Sequence, residues 1–178
     1  MYAGHAGLAL YAKSCRPRVP MAVLVPVAYA PDWIQWLITA AGGPQNPSIS
    51  HSLVSVILGA AIVAAVYWGV SKSRADAAIV GLTYLSHWPA DFVTGSKAIW
   101  PNSPEFGLNL YHHATADVIV ESVVVVLCWL AYRRSLPAPA NKTLIGWAIP
   151  VGLIAFQIGF VLIQYPSIHD PIRQILTN

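Results

Sequence analysis

A chain of 178 residues that is 56% hydrophobic and only 10% charged departs far from the composition of a soluble domain, and its apolar residues fall in long runs separated by short polar or Pro/Gly-rich breaks. The net charge of +3 is small, and the basic residues flank apolar runs instead of clustering with aromatics, which argues against nucleic acid as a partner. Cys15 and Cys128 lie in different segments without CxxC spacing, which excludes a disulfide framework and a thiolate zinc site.

These features predict a single integral membrane domain over residues 1–178: an all-α polytopic transmembrane helix bundle of five spans plus a short N-terminal helix. The first apolar run, Met1 to Ala12, is followed by its positive charges, the reverse of a secretion signal, so it is expected to be retained. As a helix it reaches roughly 18 Å, short of a hydrocarbon core of roughly 30 Å, so it either enters partway or sits shielded among the other helices. The five spans are expected at Val19 to Ala41, Ser52 to Ser71, Ala75 to Val93, Ala114 to Tyr132 and Thr143 to Gln164.

Positive residues orient the bundle. Lys13, Arg16 and Arg18 precede the first span, Lys72 and Arg74 lie between the second and third, and Arg133, Arg134 and Lys142 lie between the fourth and fifth. All three groups belong to one side, with only Lys97 and Arg173 on the other, so the expectation is a multi-pass protein of a bacterial-type inner membrane with these loops in the cytoplasm. The loop from Thr94 to Tyr111 then faces outward, and its Trp100, Pro101, Pro104, Phe106 and Tyr111 suit the headgroup region, as a lid or an interfacial anchor.

Polar residues inside the apolar runs carry the chemistry. Counted from the cytoplasmic ends at about 1.5 Å per residue, Asp32 lies roughly 20 Å up, His87 roughly 18 Å, Asp91 roughly 24 Å and Asp117 roughly 23 Å. His5, His51, His112 and His113 fall at the same level, so five of the six histidines and three of the five aspartates share one slab. Ionisable groups at membrane depth normally pair, bind an ion or line a wet cavity. His87-x-x-x-Asp91 and His113-x-x-x-Asp117 place imidazole and carboxylate one turn apart, as bundle helices present ligands to an internal metal, although a lone pair of this kind reads equally as a local hydrogen bond. Imidazole and carboxylate suit zinc first, with manganese or iron as alternatives. Glu121 continues the face of His113 and Asp117 as an acceptor for a histidine or as an isolated protonated acid. His169 and Asp170 read as a solvated tail, and Asp76 as a helix-capping acid. HExxH, GxSxG and phosphate-cradling glycine motifs are absent from the sequence.

His5, Pro31-Asp32, His51-Ser52, His87-x-x-x-Asp91 and Trp100-Pro101, in that order around spanning helices, resemble the YdjM-like family of predicted membrane-bound metal-dependent hydrolases. The resemblance implies an inner-membrane protein with a hydrolytic metal centre. The ligand order is also similar to that of soluble helical zinc-dependent phospholipases C, which implies His5, Asp32, His51, His87, Asp91, His113 and Asp117 as metal ligands. Met1 stands where those enzymes have tryptophan, and only His112 is available for a further histidine, so one or two ions are expected instead of three.

The expected function is metal-dependent hydrolysis of a phosphoester or lipid-like substrate at the outer half of the bilayer, with Asp32 and Asp91 as catalytic residues and membrane lipids as partners. The rival reading is a small ion, proton or metal transporter using the same cluster as a relay. The apolar inner halves of the spans, such as Val123 to Leu130 and Ala61 to Val66, favour a cavity open on one side.

Overall fold

The shortest apolar run forms the centre of the bundle. In the computed structural model, which describes residues 2–137 and 144–164, α1 (Ala3–Cys15) buries Ala3, Gly4, His5, Gly7, Ala9, Leu10 and Ala12. Small residues allow close packing there: a methyl added at Gly7 would stand 3.1 Å from the Val125 Cα. A helix of this length therefore sits shielded by its neighbours.

Prolines decide how the next runs break. The stretch expected as one span over 19–41 is two helices, α2 (Met21–Ala28) and α3 (Ala30–Ala40), bent by 59°. Pro31 has no amide hydrogen to donate to the carbonyl of Val27 and is suited to the start of a helix, so the chain turns at Tyr29 and Asp32 enters the first turn of α3. A short α4 (Ser48–His51) leads through the capping residue Ser52 into α5 (Leu53–Ser71), which ends at Lys72 in the left-handed conformation. The stretch expected as one span over 75–93 is likewise divided, into α6 (Arg74–Leu85) and α7 (His87–Thr94). Pro89 cannot donate to the carbonyl of Leu85, and the helix is interrupted at Ser86.

The loop after α7 is a pinned ribbon. β1 (Lys97–Ala98) pairs antiparallel with β2 (Glu105–Phe106), Lys97 opposite Phe106. The Trp88 indole donates to the Ala98 carbonyl (3.2 Å) and the Val54 amide to that of Ile99 (3.1 Å). Gly107 crosses the end of α7 so closely that a side chain there would collide with the carbonyls of Phe92 and Gly95. One 3-10 turn (Leu110–His112) precedes α8 (Ala114–Ser135), and a second (Leu144–Trp147) precedes α9 (Ala148–Gln164).

The expectation of five spans is corrected by these breaks. Among the described residues, α5 and α8 are long and apolar enough to cross a membrane, or three spans result if bent α2–α3 counts as one. The halves α6 and α7 are too short singly, and α9 has 17 residues. α5 exposes Ile57, Leu58, Ile62, Val66 and Val70, an apolar face suited to lipid. Gly4 lies beside Glu121 and Gly7 beside Val125, so α1 and α8 run the same way, carrying Lys13 and Arg133 toward one end. Arg16 Nε donates to Asp76 Oδ1 (2.7 Å), tying the loop after α1 to the start of α6, while the Ser73 hydroxyl caps α6.

Candidate metal centre

Each break puts a polar side chain where it can meet the others. α1 carries His5, the bend before α3 exposes Asp32, α4 ends in His51, and α7 begins with His87 and carries Asp91 one turn later. His5, His51, His87 and Asp91 are all buried, His87 completely, while the Asp32 side chain is 47% exposed.

The contacts converge. His5 Nε2 lies 3.1 Å from Asp91 Oδ1, His51 Nε2 lies 3.0 Å from Asp32 Oδ1, and His87 Nε2 lies 3.3 Å from Asp91 Oδ2 and 3.7 Å from Asp32 Oδ1. The His5 and His87 rings stack at 4.0 Å. His87 Nδ1 donates to the Ala28 carbonyl (2.9 Å), an acceptor that can offer no hydrogen in return. In the neutral ring this leaves a lone pair on Nε2, which is buried, makes no hydrogen bond, and faces two carboxylates. Acceptors facing one another at this distance need a cation between them, either a proton or a metal ion. His51 Nδ1 is held by the Ser50 hydroxyl (2.7 Å), and burial keeps the His51 imidazole below the ordinary histidine range, although Asp32 opposes the shift.

Two overlapping sets, His5/Asp32/His87 and His51/His87/Asp91, each present ligand atoms within 4.8 Å of one another. Three imidazoles, two carboxylates and outer partners that fix the ring orientations suit a divalent transition metal.

His113 and Asp117 stand apart. His113 precedes α8 as its capping residue (φ −127, ψ 75): its carbonyl accepts the Asp117 amide (3.0 Å), but its own backbone is not helical and its side chain is exposed while Asp117 is buried. Asp117 is buried and accepts from Gln157 Nε2 (3.2 Å). Glu121 orients no histidine: its carboxylate accepts the amides of Tyr2 (2.9 Å) and Gly4 (3.0 Å) and the Gln157 amide (3.0 Å), securing the start of α1. His112 is exposed, and His169 and Asp170 lie outside the described residues.

Lys97 is a residue that counting charges did not bring to the site. Its Nζ lies 2.9 Å from Asp91 Oδ2. A cavity of about 510 Å³ opens above the cluster, with Asp32, His51, Asp91 and Lys97 at its polar side and Tyr2, Tyr29, Trp33, Trp36, Tyr111 and Phe156 as an aromatic wall. The signal for Lys97 in the sequence was its isolation, a lone cation in an aromatic loop, read there only as a marker of topology.

The family model described as YdjM inner membrane protein matches residues 3–166, and the chain belongs to that family. The family description and the apolar α5 and α8 agree on a membrane location. No curated protein and no solved structure matches the chain.

Proposed function

We propose that this member of the YdjM inner membrane protein family is a membrane-bound metal-dependent hydrolase acting on a phosphoester or lipid-like substrate at the outer half of the bilayer. The supporting observation is the buried His87 Nε2, turned by the Ala28 carbonyl toward Asp32 and Asp91 and without a hydrogen bond of its own. A divalent ion held by His5, Asp32, His51, His87 and Asp91, zinc before manganese or iron and one or two in number, would supply a water of lowered pKa and polarise a phosphoryl oxygen.

The remaining work falls to the protein's own groups. Asp32, half-exposed at the cavity and bonded to His51, accepts the proton of the attacking water. Asp91, buried between His5 and His87, fixes both rings and so the geometry of attack. The cavity sets aromatic side chains beside these polar groups, an apolar surround that would strengthen electrostatic interactions once a substrate fills it.

The relay reading has less support. Between His5 and Arg16, α1 packs through Ala9 and Ala12 into an apolar cluster with Val19, Leu24, Ala28 and Val80. No polar chain links the site to the Arg16–Asp76 end among those residues, so the arrangement resembles a one-sided cavity more than a conduit.

Elemental mass spectrometry of the detergent-purified protein tests the proposal. Near-stoichiometric zinc or manganese is expected in the wild type and in neither His87→Ala nor Asp91→Ala, followed by hydrolysis of lipid phosphoesters by the wild type alone. Metal content and phosphoesterase activity unchanged by both substitutions would rule the reading out.

A further inference from the structure

Lys97 stands out because the hydrolase reading gives it nothing to do. Among the described residues it is the only lysine or arginine lining the cavity, and its side chain is largely withdrawn from solvent, at 16% exposure. Its backbone is fixed: β1 is paired with β2, and the neighbouring carbonyls of Ala98 and Ile99 receive the Trp88 indole and the Val54 amide. The flexible four-carbon stem leaves the ammonium able to move while its root stays in place.

That ammonium contacts Asp91 Oδ2, the same oxygen that lies 3.3 Å from His87 Nε2 and 3.9 Å from His51 Nε2. A metal ion and Lys97 therefore compete for one carboxylate oxygen. An ion there would draw charge from Asp91, weaken its hold on the ammonium and leave a cation facing the cavity. The rest of the lining is aromatic, and on α3 it continues to the surface: Trp33 and Trp36 line the cavity yet are 57% and 63% exposed, alongside exposed Ile34 and Leu37. A ligand satisfying both sides has an anionic head and an apolar tail that leaves along α3 toward the lipid.

We propose that Lys97 is the anion-recognition residue of the cavity, exchanging Asp91 for the phosphoryl oxygen of a phosphate-headed amphiphile whose apolar part lies along Trp33 and Trp36. The assignment deepens the hydrolase reading, on which it rests for the metal, by naming the substrate class and the residue that reads it.

The test uses the full chain in dodecylmaltoside micelles, with and without zinc, and measures binding of dodecyl phosphate, inorganic phosphate and dodecanol, together with zinc affinity. Lys97→Met should weaken dodecyl phosphate binding roughly tenfold, the scale of one charge-assisted hydrogen bond. Lys97→Arg should retain most of the binding, and Lys97→Met should bind zinc as tightly as wild type or more tightly, because a competitor for Asp91 is gone. Trp36→Ala should weaken dodecyl phosphate and leave inorganic phosphate unchanged.

Equal dodecyl phosphate binding by wild type and Lys97→Met overturns the assignment, as does a Lys97→Met protein that loses zinc together with phosphate, which would make Lys97 a structural ion-pair partner. Dodecanol binding as tightly as dodecyl phosphate removes the anion from the proposal, and inorganic phosphate binding as tightly removes the tail. If no variant binds zinc, the hydrolase reading falls by itself, and the wild-type to Lys97→Met difference in the metal-free protein decides the role of Lys97.

Discussion

Two buried polar clusters flank α1, one around His5 and the other around the helix's first amides, and they meet the cost of burial in different ways. In the second, Glu121 accepts the Tyr2 and Gly4 amides, Gln157 Oε1 accepts the Ala3 amide (3.3 Å), and Gln157 Nε2 is shared between Asp117 and Glu121. The donors there have acceptors, and the leftover atom is a single carboxylate oxygen, Asp117 Oδ1. In the first, an imidazole nitrogen and two carboxylates face one another, with the Lys97 ammonium beside them. One cluster ties three helices together by its hydrogen bonds; the other brings ligand atoms together and leaves room for an ion. The difference separates scaffold from candidate site, and spacing alone does not, since each cluster takes an aspartate from a His-x-x-x-Asp sequence.

The largest expected effect breaks the comparison at its centre. Removing the Asp91 carboxylate takes away the oxygens that meet His5, His51, His87 and Lys97, so Asp91→Ala should lower zinc affinity by more than the roughly 10–100-fold that an outer partner costs. Equilibrium dialysis against zinc measures this, and undiminished affinity would remove Asp91 from the ligand set.

Glu121→Ala tests the other side. It leaves the buried amides at the start of α1 without their acceptor, each at a cost of about 1–3 kcal/mol. The melting temperature should fall by several degrees, while the protein that remains folded binds zinc at the wild-type ratio. Zinc lost in proportion at low temperature, where the variant is folded, would show that Glu121 belongs to the metal centre after all.

A smaller effect sharpens the division between ligand and support. Ser50→Ala removes the hydroxyl on His51 Nδ1 and touches no ligand atom. Zinc affinity should fall by about tenfold, the lower end of what losing an orienting partner costs, with folding stability nearly unchanged. No change would mean that burial alone orients His51.

How much of this was legible depended on which physical effect placed each residue. Depth along an apolar run is a property of sequence, and it gathers His5, Asp32, His51, His87 and Asp91, which do converge, together with His112, His113 and Asp117, which do not join them. Spans were over-counted because mean hydropathy does not register a missing amide hydrogen: Pro31 and Pro89 each lie at a break in a run that is long and mostly apolar. Lys97 and Gln157 escaped for opposite reasons. The first was counted as a charge on an outer loop, and only the pairing of β1 with β2 brings it back over Asp91. The second is neutral and lies in an apolar run, so nothing in charge or periodicity marks it.

The smallest expected effect is the most discriminating for the rule about spacing. His113 and Asp117 have the same separation as His87 and Asp91, and a reading based on motif predicts that both pairs hold metal. A side chain one turn from another on the same face must be on the helix, and α8 begins at Ala114; His113 lies ahead of it as the cap, in a non-helical conformation with its side chain exposed. His87 already belongs to α7 and is buried completely. His113→Gln should therefore leave zinc stoichiometry, zinc affinity and melting temperature at wild-type values, whereas His87→Gln abolishes stoichiometric zinc. A matching loss in both variants would mean that the start of α8 rearranges on metal binding to carry His113 into the centre, and the two clusters beside α1 would then be parts of one site.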